Sequence, residues 1–284
     1  MNVVFVVLHY TQTEVTLDCV KSLLNLKGNP QVVLVDNASP DGSGKLLYEN
    51  YKGNDSVHVI LNESNLGFAS ANNIGYAYAK KELGADVIAV INNDTMIDDR
   101  EFIEKLMGSK QLYTHHVIAP DIINKIGEHQ NPFAYKPLTY EECVKNLKKL
   151  KLLQFIYSIP IIGDLKAKVS LTNSKEQKVN NIEQQEMIVP HGAAVIYTPL
   201  WVKNEDFAFY PGTFLYLEEE ILFHYLIRKQ YKTVYLPSLK IHHLEDVSTN
   251  ARFKNKRKKS LFQIKQLKNS YGVLICLLKN ESSK

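Results

Sequence analysis

Four short runs of apolar, often β-branched residues constrain the fold more than any other feature of this sequence. They span residues 3–8, 31–35, 57–61 and 87–91. The runs are continuous and do not alternate with polar residues, which is typical of strands that are covered on both faces. Apolar residues at helical spacing lie between them, and alternating strands and helices form parallel sheets with right-handed crossovers. The sequence therefore predicts an α/β, Rossmann-like fold in which helices flank a central, mostly parallel sheet.

Composition restricts the class of protein. The chain has 284 residues, of which 45% are hydrophobic and 23% charged, as in ordinary globular domains. Its net charge of +4 is too small to indicate a nucleic acid partner, and we expect none. Three cysteines without C-x-x-C spacing argue against a disulfide framework and favour a reducing compartment, so we predict a cytoplasmic protein. No apolar run approaches the ~20 residues that are needed to span a bilayer.

The C-terminal segment, residues 251–284, has the pattern of a basic amphipathic helix. Its start carries the basic residues Arg252, Lys254, Lys256, Arg257, Lys258 and Lys259. An apolar stripe at helical spacing follows, formed by Leu261, Ile264, Leu267, Tyr271, Leu274 and Leu278. Such a helix suits peripheral contact with anionic lipid at the inner face of the membrane through residues 252–278. Packing of the stripe onto the rest of the domain is the alternative, and the pattern fits both.

Polar residues follow three of the apolar runs. His9, Tyr10 and Thr11 follow the first run, Asp36 follows the second, and Asn92, Asn93 and Asp94 follow the fourth. Ligands of open α/β sheets bind outside the C-terminal ends of the strands, so we expect these residues at a common crevice. A divalent cation, Mn²⁺ or Mg²⁺, bound by Asp94 could bridge to the phosphate oxygens of a nucleoside diphosphate. Each residue taken singly could also be a turn former or a helix cap.

Other nucleotide-binding classes fit the sequence less well. The stretch Asp41-Gly42-Ser43-Gly44-Lys45 resembles a Walker loop but lacks its Ser or Thr after the lysine and its first glycine. A dinucleotide oxidoreductase needs a glycine-rich turn directly after the first strand, and residues 9–13 contain no glycine. A nucleotidyltransferase would carry a loop rich in glycine and arginine at that same point. We therefore disfavour all three classes.

Several motifs resemble those of family 2 glycosyltransferases of the GT-A fold, particularly bacterial rhamnosyltransferase-like members. In the N-terminal half they are VVLVDNASPDGS, NLGFASANNIGY and DVIAVINNDT, and further along they are HGAAVIY, FLYLEEEILF, YKTVYLP and KIHHLEDVST. The likeness covers residues 3–249, with 121–185 as the poorly matching part. It implies an inverting, metal-assisted transferase that uses a UDP- or dTDP-sugar, dTDP-rhamnose among them. The implied acceptor is a saccharide or a polyprenyl-linked intermediate of surface polysaccharide synthesis.

The resemblance also assigns roles to individual residues. It places Asp36 at the nucleobase and Asp94, helped by His242, at the metal. The full set of implied nucleotide-binding residues is His9, Tyr10, Thr11, Asp36, Asn65, Gly67, Asn72, Asn92 and Asn93. Asn92 stands at the first position of the family's D-x-D motif, where an amide is a weaker metal ligand than a carboxylate. We therefore expect Asn92 to contact the ribose or a water.

The acceptor side follows the same resemblance. Glu219 stands at the position of the family's general base, with Glu218 before it, and His191, Gly192 and Tyr216 are expected to contact the acceptor. Relatives usually carry Asp where Glu219 stands, and many carry a further aspartate where this chain has Ile221. These departures leave open a second hypothesis, in which the protein binds a sugar nucleotide but no longer catalyses transfer.

The motifs suggest a division of the chain into four parts. Residues 1–120 are predicted to form the nucleotide-sugar-binding half, and residues 121–186 a variable insertion or acceptor-side subdomain. Residues 187–250 are predicted to form the acceptor-binding and catalytic half, and residues 251–284 the C-terminal helix.

Overall fold

The computed structural model describes residues 1–159, 183–244 and 255–281. Nine strands are present in these ranges: β1 Val3–His9, β2 Gln31–Asp36, β3 Val57–Leu61, β4 Val87–Asn92, β5 Thr95–Met96, β6 Val117–Asn124, β7 Gln185–Glu186, β8 Ala194–Tyr197 and β9 Thr233–His243. The α-helices are α1 Thr13–Leu24, α2 Ser43–Tyr51, α3 Phe68–Lys81, α4 Phe102–Gly108, α5 Tyr140–Ser158, α6 Pro199–Asn204, α7 Glu218–Lys229 and α8 Lys256–Glu281.

The strands form one sheet in the order β3-β2-β1-β4-β8-β6-β9-β5, with β7 also paired to β9. β1 to β4 are parallel neighbours in this sheet, and they correspond to the four apolar runs. β8 runs antiparallel to both β4 and β6, while β6 and β9 are parallel to each other. The prediction of an α/β fold with a central sheet flanked by helices is confirmed, and the parallel pairing is concentrated in the N-terminal half.

Helices cover both faces of the sheet, which explains why its strands are apolar without interruption. Alternate residues of a strand point to opposite faces. In β1, Phe5 packs in a cluster with residues of α1 and α4, whereas Val6 packs in a second cluster with residues of α3, α6 and α7. Both clusters are buried, so each residue of β1 from Val3 to Val7 removes apolar surface from water.

A third apolar cluster joins α8 to α5 and α7. The stripe predicted on the C-terminal helix lies largely inside it: Ile264, Tyr271, Leu274 and Leu278 are buried. The stripe therefore packs against the protein, and peripheral membrane contact through residues 252–278 stays a prediction. Arg252 and Lys254 lie outside the described residues. Within the described ranges, none of the helices is long and apolar enough to cross a membrane.

Candidate functional site

One cavity of about 570 Å³ opens at the C-terminal ends of β1 and β4. Its walls also come from the turns before α3 and α7 and from one side of α8. Most of the predicted site residues line this cavity: Tyr10, Asn65, Gly67, Asn92, Asn93, Asp94, His191, Gly192, Tyr216, Glu218 and Glu219. The structure therefore brings both the nucleotide-side and the acceptor-side residues to a single crevice.

His9, Thr11, Asp36, Asn72 and His242 do not line the cavity. His9 is fully buried, and its ring nitrogens lie 2.7 Å from Thr16 Oγ1 and 2.8 Å from Ser43 Oγ. Burial lowers the pKa of His9, which keeps the ring neutral. His9 thus connects β1 to the first turns of α1 and α2, and its predicted contact with the nucleotide is not one that this geometry presents.

Asp36 holds the loop that follows β2. Its Oδ1 accepts a hydrogen bond from Ser39 N at 3.2 Å, and Ser39 Oγ in turn accepts one from Thr11 N at 2.9 Å. A Cβ added at Gly44 would lie 2.1 Å from Asp36 Oδ2, so only glycine leaves room for this carboxylate. Asn72 is also buried, and its Nδ2 donates to Phe68 O at 3.1 Å. Asp36 and Asn72 therefore do not line the cavity, and they stabilise the backbone segments that form its wall.

Asn37 lines the cavity, although the sequence analysis did not select it. Its Nδ2 donates to Asn65 Oδ1 and to Gly67 O, both at 3.2 Å, and its Oδ1 accepts from Leu66 N at 2.9 Å. Asn37 therefore joins the loop after β2 to the turn before α3. Its position directly after Asp36, at a strand end, is the sequence signal that could have indicated it.

Gly67 lies where the turn before α3 contacts the segment around Phe214, which precedes α7. Its φ is +81°, and an added Cβ would lie 2.4 Å from Phe214 O. Phe68 N donates to the same carbonyl at 2.7 Å. A side chain at position 67 would displace the 214 segment, so glycine is required both for the backbone conformation and for the close approach.

His243 is the histidine that faces Asp94. Its Nε2 lies 3.4 Å from Asp94 Oδ1, and its Nδ1 donates to Gln130 Oε1 at 2.8 Å. His242 instead has its Nε2 3.6 Å from Asp98 Oδ2, and its side chain is 46% exposed. Neighbouring residues of a strand point to opposite faces, which explains why only one of the two histidines reaches Asp94. The prediction that pairs His242 with Asp94 is therefore wrong, and His243 takes that place.

Asp94 and His243 are the two side chains that could hold a cation at the end of β4. In the part of the chain that the structure describes, no group of three or more His, Cys, Asp or Glu side chains is arranged to hold a metal. A carboxylate and an imidazole suit a cation that takes its remaining ligands from phosphate oxygens or water. The donor set thus fits a cation that binds together with an anionic ligand.

Three glutamates begin α7 after an unusual turn. Tyr216 and Leu217 both adopt left-handed backbone conformations, with φ of 75° and 66°. Non-glycine residues rarely adopt this conformation, and the turn directs the first residues of α7 towards the cavity. Burial, and then the charge of Glu219, raises the pKa of Glu218 to about 8, and burial raises that of Glu220 to about 7. Glu218 therefore stays largely protonated near neutral pH, and Glu220 is protonated only in part.

Glu219 lies against Gly192. Burial raises the pKa of Glu219, and a hydrogen bond from the Gly192 N–H opposes that rise. A Cβ added at Gly192 would lie 2.4 Å from Glu219 Oε1, so glycine at this position allows the carboxylate its place. Glu219 lines the cavity together with Glu218 and Glu220, and it is the least buried of the three.

His191 is held as a neutral ring. Its Nδ1 accepts from Ala193 N at 3.1 Å, so the proton of the neutral ring is on Nε2. Burial, and then the nearby His243, lowers the pKa of His191 to about 3. The backbone N–H of His191 donates to Asn131 Oδ1 at 2.7 Å. The consecutive residues Gln130 and Asn131 thus bind one histidine each, His243 and His191, and no local sequence pattern indicated this.

The described lining of the cavity is acidic. Its described lining includes the carboxyl groups of Asp94, Glu218, Glu219 and Glu220, and neither lysine nor arginine is among the described lining residues. An anionic ligand bound here would therefore depend on a cation to balance its charge. Phe133, Phe214, Phe262, Leu215, Leu217 and Leu267 supply an apolar wall beside these groups. Phe262 and Leu267 belong to α8, and Ser270 Oγ holds the 215 segment by donating to Leu215 O at 3.0 Å.

Solved structures share this fold. A crystal structure of S. aureus TarS 1-349 aligns with a TM-score of 0.54 and 14% identity, over 86% of this chain and 60% of that one. Its complex with UDP-GlcNAc aligns with a TM-score of 0.55 and 14% identity, over 90% and 60%, respectively. The complex with UDP gives 0.53 and 12%, over 94% and 64%. This chain thus spans about 60% of the length of those structures. At 12–14% sequence identity this similarity concerns the fold alone, and it confirms the prediction of a GT-A fold.

The family is established by the sequence itself. No curated protein matches the chain. Residues 4–197 match the sequence model of glycosyl transferase family 2, which is more than half of the chain. This segment contains β1 to β4, whose C-terminal ends form the floor of the crevice, together with Asp94 and Gly192. The chain therefore belongs to glycosyl transferase family 2.

Proposed function

We propose that this protein is an inverting glycosyltransferase that moves a sugar from a nucleoside-diphosphate donor to a hydroxyl of an acceptor. The observation that carries the proposal is that one cavity is lined both by Asp94, at the end of β4, and by Glu219, at the start of α7. The first is suited to the diphosphate side of such a reaction and the second to its acceptor side. Family membership supports this combination.

On the donor side, Asp94 and His243 would hold Mn²⁺ or Mg²⁺, and Tyr10, Asn65, Gly67, Asn92 and Asn93 would surround the nucleotide. When bound there, the cation would neutralise the diphosphate and stabilise the charge that develops on it as it leaves. The absence of lysine and arginine from the described lining supports the need for such a cation. Asn37 would keep the nucleotide-side loops together.

On the acceptor side, Glu219 would act as the general base. The acceptor oxygen attacks the anomeric carbon while its proton passes to the Glu219 carboxylate. The bond from the anomeric carbon to the diphosphate oxygen breaks, and the nucleoside diphosphate leaves with the bonding electrons. A base must be unprotonated and within ~3 Å of the acceptor oxygen. Burial raises the pKa of both Glu218 and Glu219, and Glu219 is assigned as the base because it stands at the family's base position and is the less buried of the two.

The proposal also covers the identity of the donor and of the acceptor. The TarS complexes with UDP-GlcNAc and UDP support a uridine nucleotide, while the rhamnosyltransferase-like motifs favour dTDP-rhamnose. We propose a saccharide or polyprenyl-linked acceptor of surface polysaccharide synthesis, used at the cytoplasmic face of the membrane. His191, Gly192 and Tyr216 would contact it. The four-part division at residues 120, 186 and 250 is proposed on the same motifs.

Differential thermal melting tests the donor half of the proposal. UDP, dTDP, GDP and CDP are each added with and without Mn²⁺ or Mg²⁺, and we expect one nucleotide to raise the melting temperature only when the metal is present. Ligand that binds the native state stabilises it by RT ln(1 + [L]/Kd). The absence of a shift with every pair would contradict the proposed site. A clear shift without transfer to any acceptor saccharide would instead indicate a protein that binds the sugar nucleotide without turnover.

A further inference from the structure

One side of α5 is exposed and combines lysines with large apolar residues. This surface, which we call the α5 face, consists of Lys145, Lys148, Lys149, Leu152 and Phe155. Their spacing of three or four residues places them on the same side of the helix. Leu152 is 61% and Phe155 65% exposed.

The fold does not need these two apolar side chains. The opposite side of α5 carries Cys143, Leu150 and Tyr157, which are buried in the cluster with α8. That packing already attaches α5 to the protein. Leu152 and Phe155 therefore remain in water at an energetic cost that a binding partner would remove.

The start of α8 adds positive charge beside the α5 face. Arg257 Nε donates to Tyr157 O at 2.8 Å, and its Nη2 donates to Ser158 O at 3.2 Å. These bonds place the first turn of α8 at the C-terminal end of α5, close to the turn that carries Phe155. Lys256 and Lys258 in this turn are exposed. Basic residues thus lie on both sides of the exposed Leu152 and Phe155.

We propose that the α5 face, together with Lys256 and Lys258, docks on an anionic lipid surface. Helices that lie in a membrane interface combine a basic rim with bulky apolar residues that enter the headgroup region. Between positions 145 and 155 every charged residue is a lysine, which matches the negative charge of such a surface. The interaction differs from the one expected for the α8 stripe, because that stripe is buried.

Docking in this orientation has a consequence for the cavity. α8, whose first turn adjoins the α5 face, also contributes Phe262 and Leu267 to the cavity wall. If the proposed transferase function holds, a lipid-linked acceptor would meet an apolar wall on α8, whose first turn contacts the membrane. The docking surface itself does not depend on that function.

Flotation of the full chain with vesicles tests the proposal. Vesicles of phosphatidylcholine alone are compared with vesicles that also contain phosphatidylglycerol, and we expect binding only to the anionic ones, with a loss at high salt. Lys145→Gln/Lys148→Gln/Lys149→Gln should weaken binding by at least about tenfold, since each lysine near an anionic surface contributes to binding. Leu152→Ser/Phe155→Ser should also weaken it, and the matched control Tyr113→Ser/Ile126→Ser, exposed apolar residues elsewhere, should not.

Two further measurements keep the outcome unambiguous. The melting temperature of each variant, with and without UDP and Mn²⁺, shows whether the fold and the nucleotide site are intact. Equal vesicle binding by wild type and by the Leu152/Phe155 variant would overturn the docking proposal and leave the transferase proposal standing. A loss of self-association in that variant, without any loss of vesicle binding, would assign the face to a second copy of the chain and would also overturn it. Vesicle binding without any nucleotide effect would support docking and count against the proposed function alone.

Discussion

His243 Nε2 lies 3.4 Å from Asp94 Oδ1, while the adjacent His242 faces Asp98 on the other side of the same strand. Asp94 and His243 thus connect the end of β4 to β9, although these strands are far apart in sequence. The short β5, which directly follows Asp94, pairs with β9 and brings the two residues together. His243 can therefore bind a cation together with Asp94. His242 cannot, so a variant at His242 serves as the control for a variant at His243.

Removal of either partner should weaken metal-dependent nucleotide binding. We expect Asp94→Asn and His243→Ala to weaken UDP binding in the presence of Mn²⁺ by about 10–100-fold, as losses in and around metal sites do. His242→Ala should leave it unchanged. Isothermal titration of UDP with Mn²⁺ measures the effect, and an equal loss in the His242 variant would show that His243 has no special role.

Gln130 should act on the metal through His243. Its Oε1 accepts the His243 Nδ1 proton, which leaves Nε2 free of a proton and able to bind a cation. Gln130→Leu should raise the Mn²⁺ concentration required for half-maximal stabilisation in the presence of UDP by about tenfold, as other outer-shell losses do. Gln130→Glu keeps an acceptor oxygen and should restore most of the affinity. Identical behaviour of the two variants would argue against this positioning role.

A methyl group at position 192 should displace the proposed base. In Gly192→Ala the new Cβ would lie 2.4 Å from Glu219 Oε1, so the carboxylate has to move. We expect transfer to fall by about 10²-fold, the usual cost of a misplaced catalytic group, with UDP binding unchanged. Gly108→Ala is the matched control, because nothing lies within 4 Å of its added Cβ. Wild-type transfer rates in the Gly192 variant would contradict the placement of the base.

Glu219 and Glu218 should differ in their contribution to catalysis. Glu219→Gln removes the proposed base and should lower kcat by about 10²–10⁴-fold at unchanged donor affinity. Glu218→Gln should cost less, because glutamine resembles the protonated acid that a raised pKa maintains near neutral pH. Rates of sugar transfer and of donor binding are measured for both. A greater loss in the Glu218 variant would exchange the two roles.

Glu218 should also make stability depend on pH. Its pKa is raised from 4.5 to about 8 in the folded protein, so the native state keeps a proton that the unfolded chain has lost. Stability therefore falls as pH rises between these values, and above them the contribution of this group to stability no longer changes with pH. Glu218→Gln cannot ionise, so its melting temperature should exceed that of the wild type by an amount that grows from pH 5 to 8, to roughly 2–4 °C or more. The exposed Glu63→Gln is the control. A difference that does not change with pH would contradict a raised pKa.

Much of the fold followed from local patterns. The runs around Val6, Val33 and Val90 were continuous because both faces of those strands are covered, and helical spacing between them implied parallel crossovers. Parallel strands gather their C-terminal ends at one edge, so Asn92, Asp94 and the residues after β1 had to share a crevice. Family motifs then indicated Glu219. The strands and the crevice depend on periodicity and connectivity, which the sequence contains directly, whereas the assignment of Glu219 rests on the resemblance and stays a prediction.

Other features were decided only by tertiary structure. The register of β9 determines that His243 and not His242 reaches Asp94, and packing behind the crevice turns His9 and Asp36 away from the cavity. The same holds for Gln130, which reaches His243 across a long sequence separation. By itself the sequence determined which strands and helices form and where their polar ends collect. Which of two identical side chains, such as His242 and His243, contacts Asp94 was decided only by the tertiary structure, because the answer depends on residues that are distant along the chain.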